Sequence, residues 1–373
     1  MKIKFIFYYL KVLDGSILYI WQEQRIRNMK AVFIKGHNAV SVDDVKVPDI
    51  ASGGDVLVKM RACGLCGSDL EKIYGEYSMA SGRLGHEPAG EVVAVGESVK
   101  GFTRGDRVFI HHHVACYCCH YCFHGDYTMC PAYQTSNISP CGLAEHFLVP
   151  EWNVSRGGLI KLPNDVSFEE ASLIEPLACC IKAWKKCSIQ KGDDVVILGA
   201  GPTGLMHMLL ALAFGAGKIF VIDMNNFRLD FARKYGGVHV LNPISDHDFA
   251  NNIKLETCGR GADICIIATG NMKALLQSFD LTRRGGKIML FGVPPKGSQT
   301  SFDMSKLYSS EHSLIPSYAA SEIETNQALK MIAEARLDIG SLITHRFHIS
   351  KAAEAVKCAY EANNAMKVII TTD

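Results

Sequence analysis

Apolar positions along the chain change their spacing as the sequence proceeds. Between residues 30 and 149 they come in short β-branched runs punctuated by glycine, such as DVLVKM at 55–60 and EVVAV at 91–95. That pattern predicts a β-rich domain. From about residue 191 the apolar runs are uninterrupted and alternate with helical stretches. Runs at 195–198, 219–222, 264–267 and 287–290 predict parallel strands of a doubly wound sheet, buried on both faces. Helical patterns at 322–335 and 350–363 and a closing strand at 367–371 complete the chain. The fold class is therefore α/β with a β-rich domain, with no internal repeat and no low-complexity linker.

Composition narrows the picture. At 373 residues the chain suits two domains, at roughly 150 residues each. Apolar residues are 48% and charged residues 21%, as in ordinary globular enzymes, and the net charge of +1 leaves no basic excess for a phosphate backbone. A nucleic-acid partner is not expected. The apolar, aromatic stretch 1–21 is broken by Lys4, Lys11 and Asp14, short of the roughly 18 residues a membrane span needs, and it lacks a cleavable signal. A second start, MKAV at 29–32, opens a first strand, so residues 1–28 read either as a natural extension or as a mis-called start. The 14 cysteines include four at metal-ligand spacing, which fits a reducing cytoplasm better than a disulfide framework.

The run Gly199-Ala200-Gly201-Pro202-Thr203-Gly204 follows a predicted strand and opens an apolar helix at 205–214. In that context Gly199 makes a tight turn, Gly201 admits a pyrophosphate, and Gly204 lets helix and strand pack closely, with the helix N-terminus facing the phosphates. Asp223 follows the next strand, where a carboxylate accepts hydrogen bonds from a ribose 2′-hydroxyl and repels a 2′-phosphate, which favours NAD over NADP. Arg228 has two readings, one along the adenosine ribose and one as a cap on a surface helix.

Cys116, Cys119, Cys122 and Cys130 sit in one short excursion at the spacing of a closed, all-cysteine zinc site, with sulfur at roughly 2.3 Å from the metal. Cys118 breaks no spacing and reads as a bystander. Because sulfur fills every position, this metal is expected to be structural. A second constellation joins Cys66, His86 and either Glu87 or Glu175, the mixed ligands of a catalytic zinc that keeps one position open.

Together these residues resemble the medium-chain dehydrogenase/reductase family, in particular its zinc-containing sorbitol and threonine dehydrogenase branch. The likeness runs from residue 29 to 372 and includes Gly85-His86-Glu87 followed by Gly90, Gly96 and Val99 at the family spacing. It implies a GroES-like catalytic domain at 29–180 and 315–373, carrying a structural-zinc lobe at 111–131 and split by a Rossmann NAD-binding domain at 181–314. It further implies that Cys66 and His86 bind catalytic zinc. Glu175 would occupy the polyol-branch carboxylate position, directly or through water, and Glu87 would lie close by or exchange with it. Ser68 matches the hydroxyl that relays the substrate proton. Glu71 stands where many relatives carry a proton-passing histidine, so it serves an altered relay or is simply exposed. The resemblance puts the neighbourhood of His112, within the run His111-His112-His113, on the substrate pocket wall, although a triple histidine on a surface strand is an equal reading.

The implied activity is a zinc-dependent oxidation of a secondary alcohol or polyol, with two zinc ions and NAD per chain in a homodimer or homotetramer. Zinc would polarise the substrate hydroxyl, as it lowers the pKa of bound water to roughly 7, and the carbon-bound hydrogen would leave as hydride to the nicotinamide. Two rivals stand beside it: a non-catalytic zinc and nucleotide-binding protein of the same fold, and a zinc-free quinone reductase.

Overall fold

A computed structural model describes residues 9–13, 16–20, 28–36, 38–75 and 82–373, with the backbone alone for 9–13 and 16–20. Within the 1–28 segment, β1 (Tyr9–Leu13) and β2 (Ser16–Ile20) form an antiparallel hairpin; residues 1–8, 14–15 and 21–27 lie outside the described residues. β3 (Asn28–Ile34) begins beside Met29 and pairs antiparallel with β4 (Val40–Lys46).

The β-rich part is a seven-stranded sheet. β5 (Val56–Gly64), β6 (Glu87–Val95), β7 (Arg107–Ile110), β8 (His146–Val149) and β9 (Leu159–Lys161) pair antiparallel, with β5 flanked by β6 and β8. Alternating burial along β5 is the period-two pattern of a strand with one face on the core. The chain then leaves this sheet through the helix Ile174–Cys187. That helix is buried on nearly every side, as expected of one that packs between layers.

The second sheet is wholly parallel. β10 (Val195–Leu198), β11 (Ile219–Ile222), β12 (Val238–Leu241), β13 (Ala262–Ile267), β14 (Thr282–Leu290) and β15 (Ser313–Pro316) lie in the order 12-11-10-13-14-15. The order reverses beside β10, which makes a crevice at the carboxyl ends of β10 and β13, the usual ligand position in doubly wound sheets. β10 and β11 are buried throughout, which is why their sequences are uninterrupted apolar runs.

After β15 the helix Glu322–Ala333 packs against Ile174–Cys187, and β16 (Ile343–His348) and β17 (Lys367–Thr371) rejoin the first sheet, β17 pairing with β5. The expected helix at 350–363 is shorter, Ala352–Glu361, entered through a 3-10 turn at Ile349–Lys351. One apolar cluster runs from Ala62, Ala89 and Phe109 through Leu177 and Ile181 to Val195 and Ile197, so the two sheets share a core across that helix. Among the described residues, no helix is long and apolar enough to cross a membrane.

Candidate functional site

The four cysteines of the lobe come together. Their sulfurs all lie within 4.8 Å of one another, with Cys116–Cys122 at 3.9 Å, Cys119–Cys122 at 3.6 Å and Cys130–Cys116 at 3.5 Å. Sulfurs at roughly 2.3 Å from a tetrahedral zinc stand about 3.8 Å apart, so the cradle has the size the ion requires. Cys118 is exposed and outside this group, and all 14 cysteines are free.

The second group is Cys66, His86 and Glu87, whose ligand atoms also lie within 4.8 Å of one another. Cys66 is the N-cap of the helix Gly67–Tyr74, and His86 and Glu87 stand at the start of β6. Asp69, at the third position of that helix, faces His86 Nδ1 at 3.3 Å and accepts backbone N–H bonds from Cys66 and Gly85, each at 3.3 Å. Holding Nδ1 against a carboxylate leaves Nε2 free to ligate, the usual arrangement behind a metal-bound histidine. Burial works against a charged His86, but the Asp69 carboxylate and the Cys66 sulfur overcome it and hold its pKa well above the ordinary value. Burial likewise opposes ionisation of Asp69, and the His86 charge prevails, lowering the Asp69 pKa.

Glu87 is fully buried, and its Oε1 has no hydrogen-bond partner among the described residues. Lys367, the first residue of β17, reaches Glu87 Oε2 at 2.5 Å. Burial raises the Glu87 pKa, partly offset by Lys367 and His86. The close approach depends on Gly64: a Cβ there would lie 1.8 Å from Glu87 Oε2. An orphaned buried carboxylate oxygen beside a thiol and an oriented imidazole is a donor set that fits zinc with one position open.

Ser68 Oγ lies 3.5 Å from His86 Nε2, which places it at this group. Glu175 does not join the trio; it is buried on the helix Ile174–Cys187, and its Oε1 accepts a bond from the Cys179 thiol at 3.3 Å. Glu71 is half-buried, and among the described residues no hydrogen bond ties it to Ser68 or His86. The His112 ring stands 5.5 Å from the His86 ring and is buried enough to lower its pKa well below the usual value, so it faces the trio as a neutral imidazole. Asp69 and Lys367 were not singled out from the sequence. Asp69 was accessible through its capping-box spacing from Cys66, whereas nothing local marks Lys367.

The glycine turn lies in the crevice beside β10. Gly199 has φ +105° and Gly201 caps the helix Pro202–Phe214, with Pro202 in its first turn. A Cβ on Gly204 would stand 1.8 Å from the Gly199 carbonyl, so only glycine permits this closeness of turn and helix. Thr203 lies in the same first turn. The Asp223 carboxylate accepts N–H bonds from Ala200 at 2.7 Å and Asn225 at 2.8 Å, which fixes it at the mouth of the turn. The Arg228 guanidinium lies 3.7 Å from where a Gly201 Cβ would be, and its Nε is buried without a partner among the described residues. It therefore lies over the turn.

Residues 52–163 match the alcohol dehydrogenase GroES-like domain, and residues 202–334 match the zinc-binding dehydrogenase family. The chain is 33% identical to sorbitol dehydrogenase of Bacillus subtilis (strain 168) over 360 residues, covering 92% of this chain and 97% of that protein. It is 30% identical to L-threonine 3-dehydrogenase of Aeromonas salmonicida (strain A449), covering 92% of this chain and all of that protein. Among solved structures, a putative zinc-binding dehydrogenase from Sinorhizobium meliloti 1021 bound to NADP superposes with a TM-score of 0.82 at 26% identity, covering 92% of this chain and 99% of the other.

Proposed function

We propose, since the chain belongs to the zinc-containing alcohol dehydrogenase branch of the medium-chain dehydrogenase/reductase family, that it moves a hydride between a secondary alcohol or polyol and NAD. The observation that carries this reading is the meeting of Cys66, His86 and Glu87 beside Ser68, with His86 oriented by Asp69. Cys66, His86 and Glu87 would hold a catalytic zinc, with Glu175 as a nearby carboxylate able to exchange, and Cys116, Cys119, Cys122 and Cys130 a second, structural one. When bound, zinc supplies Lewis-acid polarisation of an alcohol hydroxyl and the dinucleotide supplies the hydride acceptor.

The chain's own groups do the rest. Ser68 accepts the hydroxyl proton while giving up its own, and Glu71, on the same helix with no hydrogen bond to Ser68 among the described residues, would receive it through water. His112, neutral and half-buried, presents a polar wall that suits a polyhydroxylated substrate. Gly199, Gly201, Pro202, Thr203 and Gly204 seat the pyrophosphate, while Asp223 binds ribose hydroxyls and repels a 2′-phosphate. This supports NAD even though a similar structure holds NADP. Arg228 flanks the same nucleotide.

The division into 29–180 with 315–373 and 181–314 belongs to the same reading, and the return of β16 and β17 to the first sheet supports it. So do assembly as a dimer or tetramer and residence in a reducing cytoplasm. Exposed Leu314 within the edge strand β15, and exposed Tyr308 in the preceding helix, support self-association, and the need to keep four thiols reduced supports the compartment.

The test is purified protein with NAD or NADP and a panel of polyols, diols and L-threonine, following reduced-nicotinamide absorbance before and after chelation. Turnover with NAD that disappears on chelation is expected. A silent panel from protein that binds both zinc and NAD would leave a binding protein instead. Protein that carries no zinc at the Cys66 and His86 site and oxidises none of the alcohols would point to the quinone-reductase rival.

A further inference from the structure

The lobe that bears the four cysteines is fastened to the segment following β15. Tyr133 donates its hydroxyl to the Ala320 carbonyl at 2.9 Å. Lys182, on the helix Ile174–Cys187, donates to Thr128 Oγ1 at 2.6 Å and to the Tyr318 carbonyl at 2.8 Å. Ala319 packs against the apolar cluster formed by Ala115, Cys122, Cys130 and Tyr133. Between these points stands Glu322, the first residue of the helix Glu322–Ala333. Its Oε1 lies 2.7 Å from His111 Nδ1, and its Oε2 accepts the hydroxyl of Tyr117. Glu322 is 5% exposed and His111 fully buried.

The two donors to this carboxylate do different things. Tyr117 lies next to Cys116 in the lobe and has φ +59°, in the left-handed region that an aromatic residue rarely enters. Such a backbone persists where its surroundings over-determine it, and here the Glu322 bond and the Tyr127 ring at 5.2 Å do so. His111 begins the histidine run. With Nδ1 committed to Glu322, its Nε2 is left buried and without a partner among the described residues. The next ring, His112, stands 5.9 Å away edge-on and 5.5 Å from the His86 ring. Asn153 donates to the carbonyls of both His111 and His112, at 3.3 and 2.9 Å, so a displacement of one residue is passed to the other.

We propose that Glu322 is a positioning residue: by sharing its carboxylate between His111 and Tyr117, it locks the four-cysteine lobe and the histidine wall to the returning segment as one unit. Loading of the lobe and the shape of the wall beside His86 are thereby coupled. A buried carboxylate in this place is costly unless it is hydrogen-bonded, so losing either donor weakens the arrangement and losing the carboxylate frees both. Only the substrate readout below rests on the dehydrogenase reading.

The experiment compares zinc-loaded, full-length wild type with E322A and E322Q. Hydrogen exchange across 111–136, zinc release to a chromophoric chelator, and KM and kcat for sorbitol are followed. Gln keeps an acceptor for His111 and a polar group for Tyr117, so it is the conservative rescue. E322A is expected to speed exchange in 111–136 and zinc release about tenfold and to raise KM about tenfold, with kcat within about threefold, as for loss of a buried, charge-assisted hydrogen bond. E322Q is expected to stay within about threefold of wild type on every measure. Wild-type exchange and KM in E322A would overturn the proposal, as would a uniform rise in exchange across both sheets. E322Q as damaged as E322A would overturn the acceptor role. If E322A does not fold, Y117F removes a single donor and is expected to raise exchange in the lobe alone, about threefold; no local rise would overturn the proposal. A wild type that oxidises no alcohol would defeat the dehydrogenase reading, and the exchange comparison would still decide the role of Glu322.

Discussion

Asp69 governs the imidazole of His86, and it does so from a helix N-terminus. Its two oxygens are spent on His86 Nδ1 and on the N–H groups of Cys66 and Gly85, so one side chain holds two ligand-bearing segments in register. The variant D69N keeps the shape but removes the charge that orients and polarises the ring. Zinc affinity at the Cys66, His86 and Glu87 group is expected to fall about 10- to 100-fold, read by competition against a chromophoric chelator. Unchanged affinity would mean Asp69 serves the helix cap alone. Lys367 acts in the same manner on Glu87, and the bare Cα of Gly64 leaves room for the pair. Cys66, Ser68 and His86 were singled out through the family resemblance, which rests on Gly85-His86-Glu87 and the glycine and valine spacing after it. Asp69 carried a weaker signal, since cysteine is an unusual N-cap and the capping-box spacing stands out less behind it. Lys367 carried none, because it meets Glu87 only through the pairing of β17 with β5 and of β5 with β6.

Elements decide how these residues are delivered. In the turn from β10 into the helix Pro202–Phe214, the Gly199 carbonyl occupies the space a Gly204 side chain would need. G204A is therefore expected to cost about 2–4 kcal/mol of stability and to abolish NAD binding by isothermal titration, because the turn must open to admit the methyl group. Wild-type NAD affinity in a stable G204A protein would show the turn to be looser than its geometry. The four-cysteine lobe is a different kind of element, held by its sulfurs and by Glu322, Lys182 and Tyr133 rather than by a large core. C122S is expected to lower stability by about 3 kcal/mol and to release one zinc, while the fraction that stays folded still transfers hydride. Loss of hydride transfer in fully folded C122S protein would place chemistry in the lobe. The parallel strands were readable as apolar runs, and the closing strand 367–371 falls where the sequence puts it. The helix Ile174–Cys187 was not read as an element from the sequence, although Lys182, Lys185 and Lys186 lie at helical spacing on its less buried face.

For the whole molecule, the shared core between the sheets sets how the fold responds to acid. His207 is fully buried in the nucleotide-side helix, where its Nδ1 accepts the Trp184 indole N–H at 3.0 Å and desolvation pushes its pKa down to about 3. The folded protein therefore keeps this ring neutral, while the unfolded chain takes up a proton below about pH 6.5. Its contribution is lost as pH falls from about 6.5 towards 3, by as much as about 4 kcal/mol at the lower limit. H207Q should be less stable than wild type at pH 7 and should close much of that gap by pH 4.5, as followed by urea unfolding; a constant gap across that range would remove His207 from the acid response. The sequence by itself determined the two kinds of sheet, the glycine turn and the four-cysteine spacing, because local spacing and residue chemistry are enough to specify each, whereas Cys66 and His86 were assigned to one metal site through the family resemblance. Only the tertiary structure brought Glu87 beside Cys66 and His86, set Asp69 and Lys367 behind them, and joined the lobe to the histidine wall through Glu322. Those choices depend on which strands pair and which helix packs between the sheets, and such long-range partners leave no periodic trace in the chain.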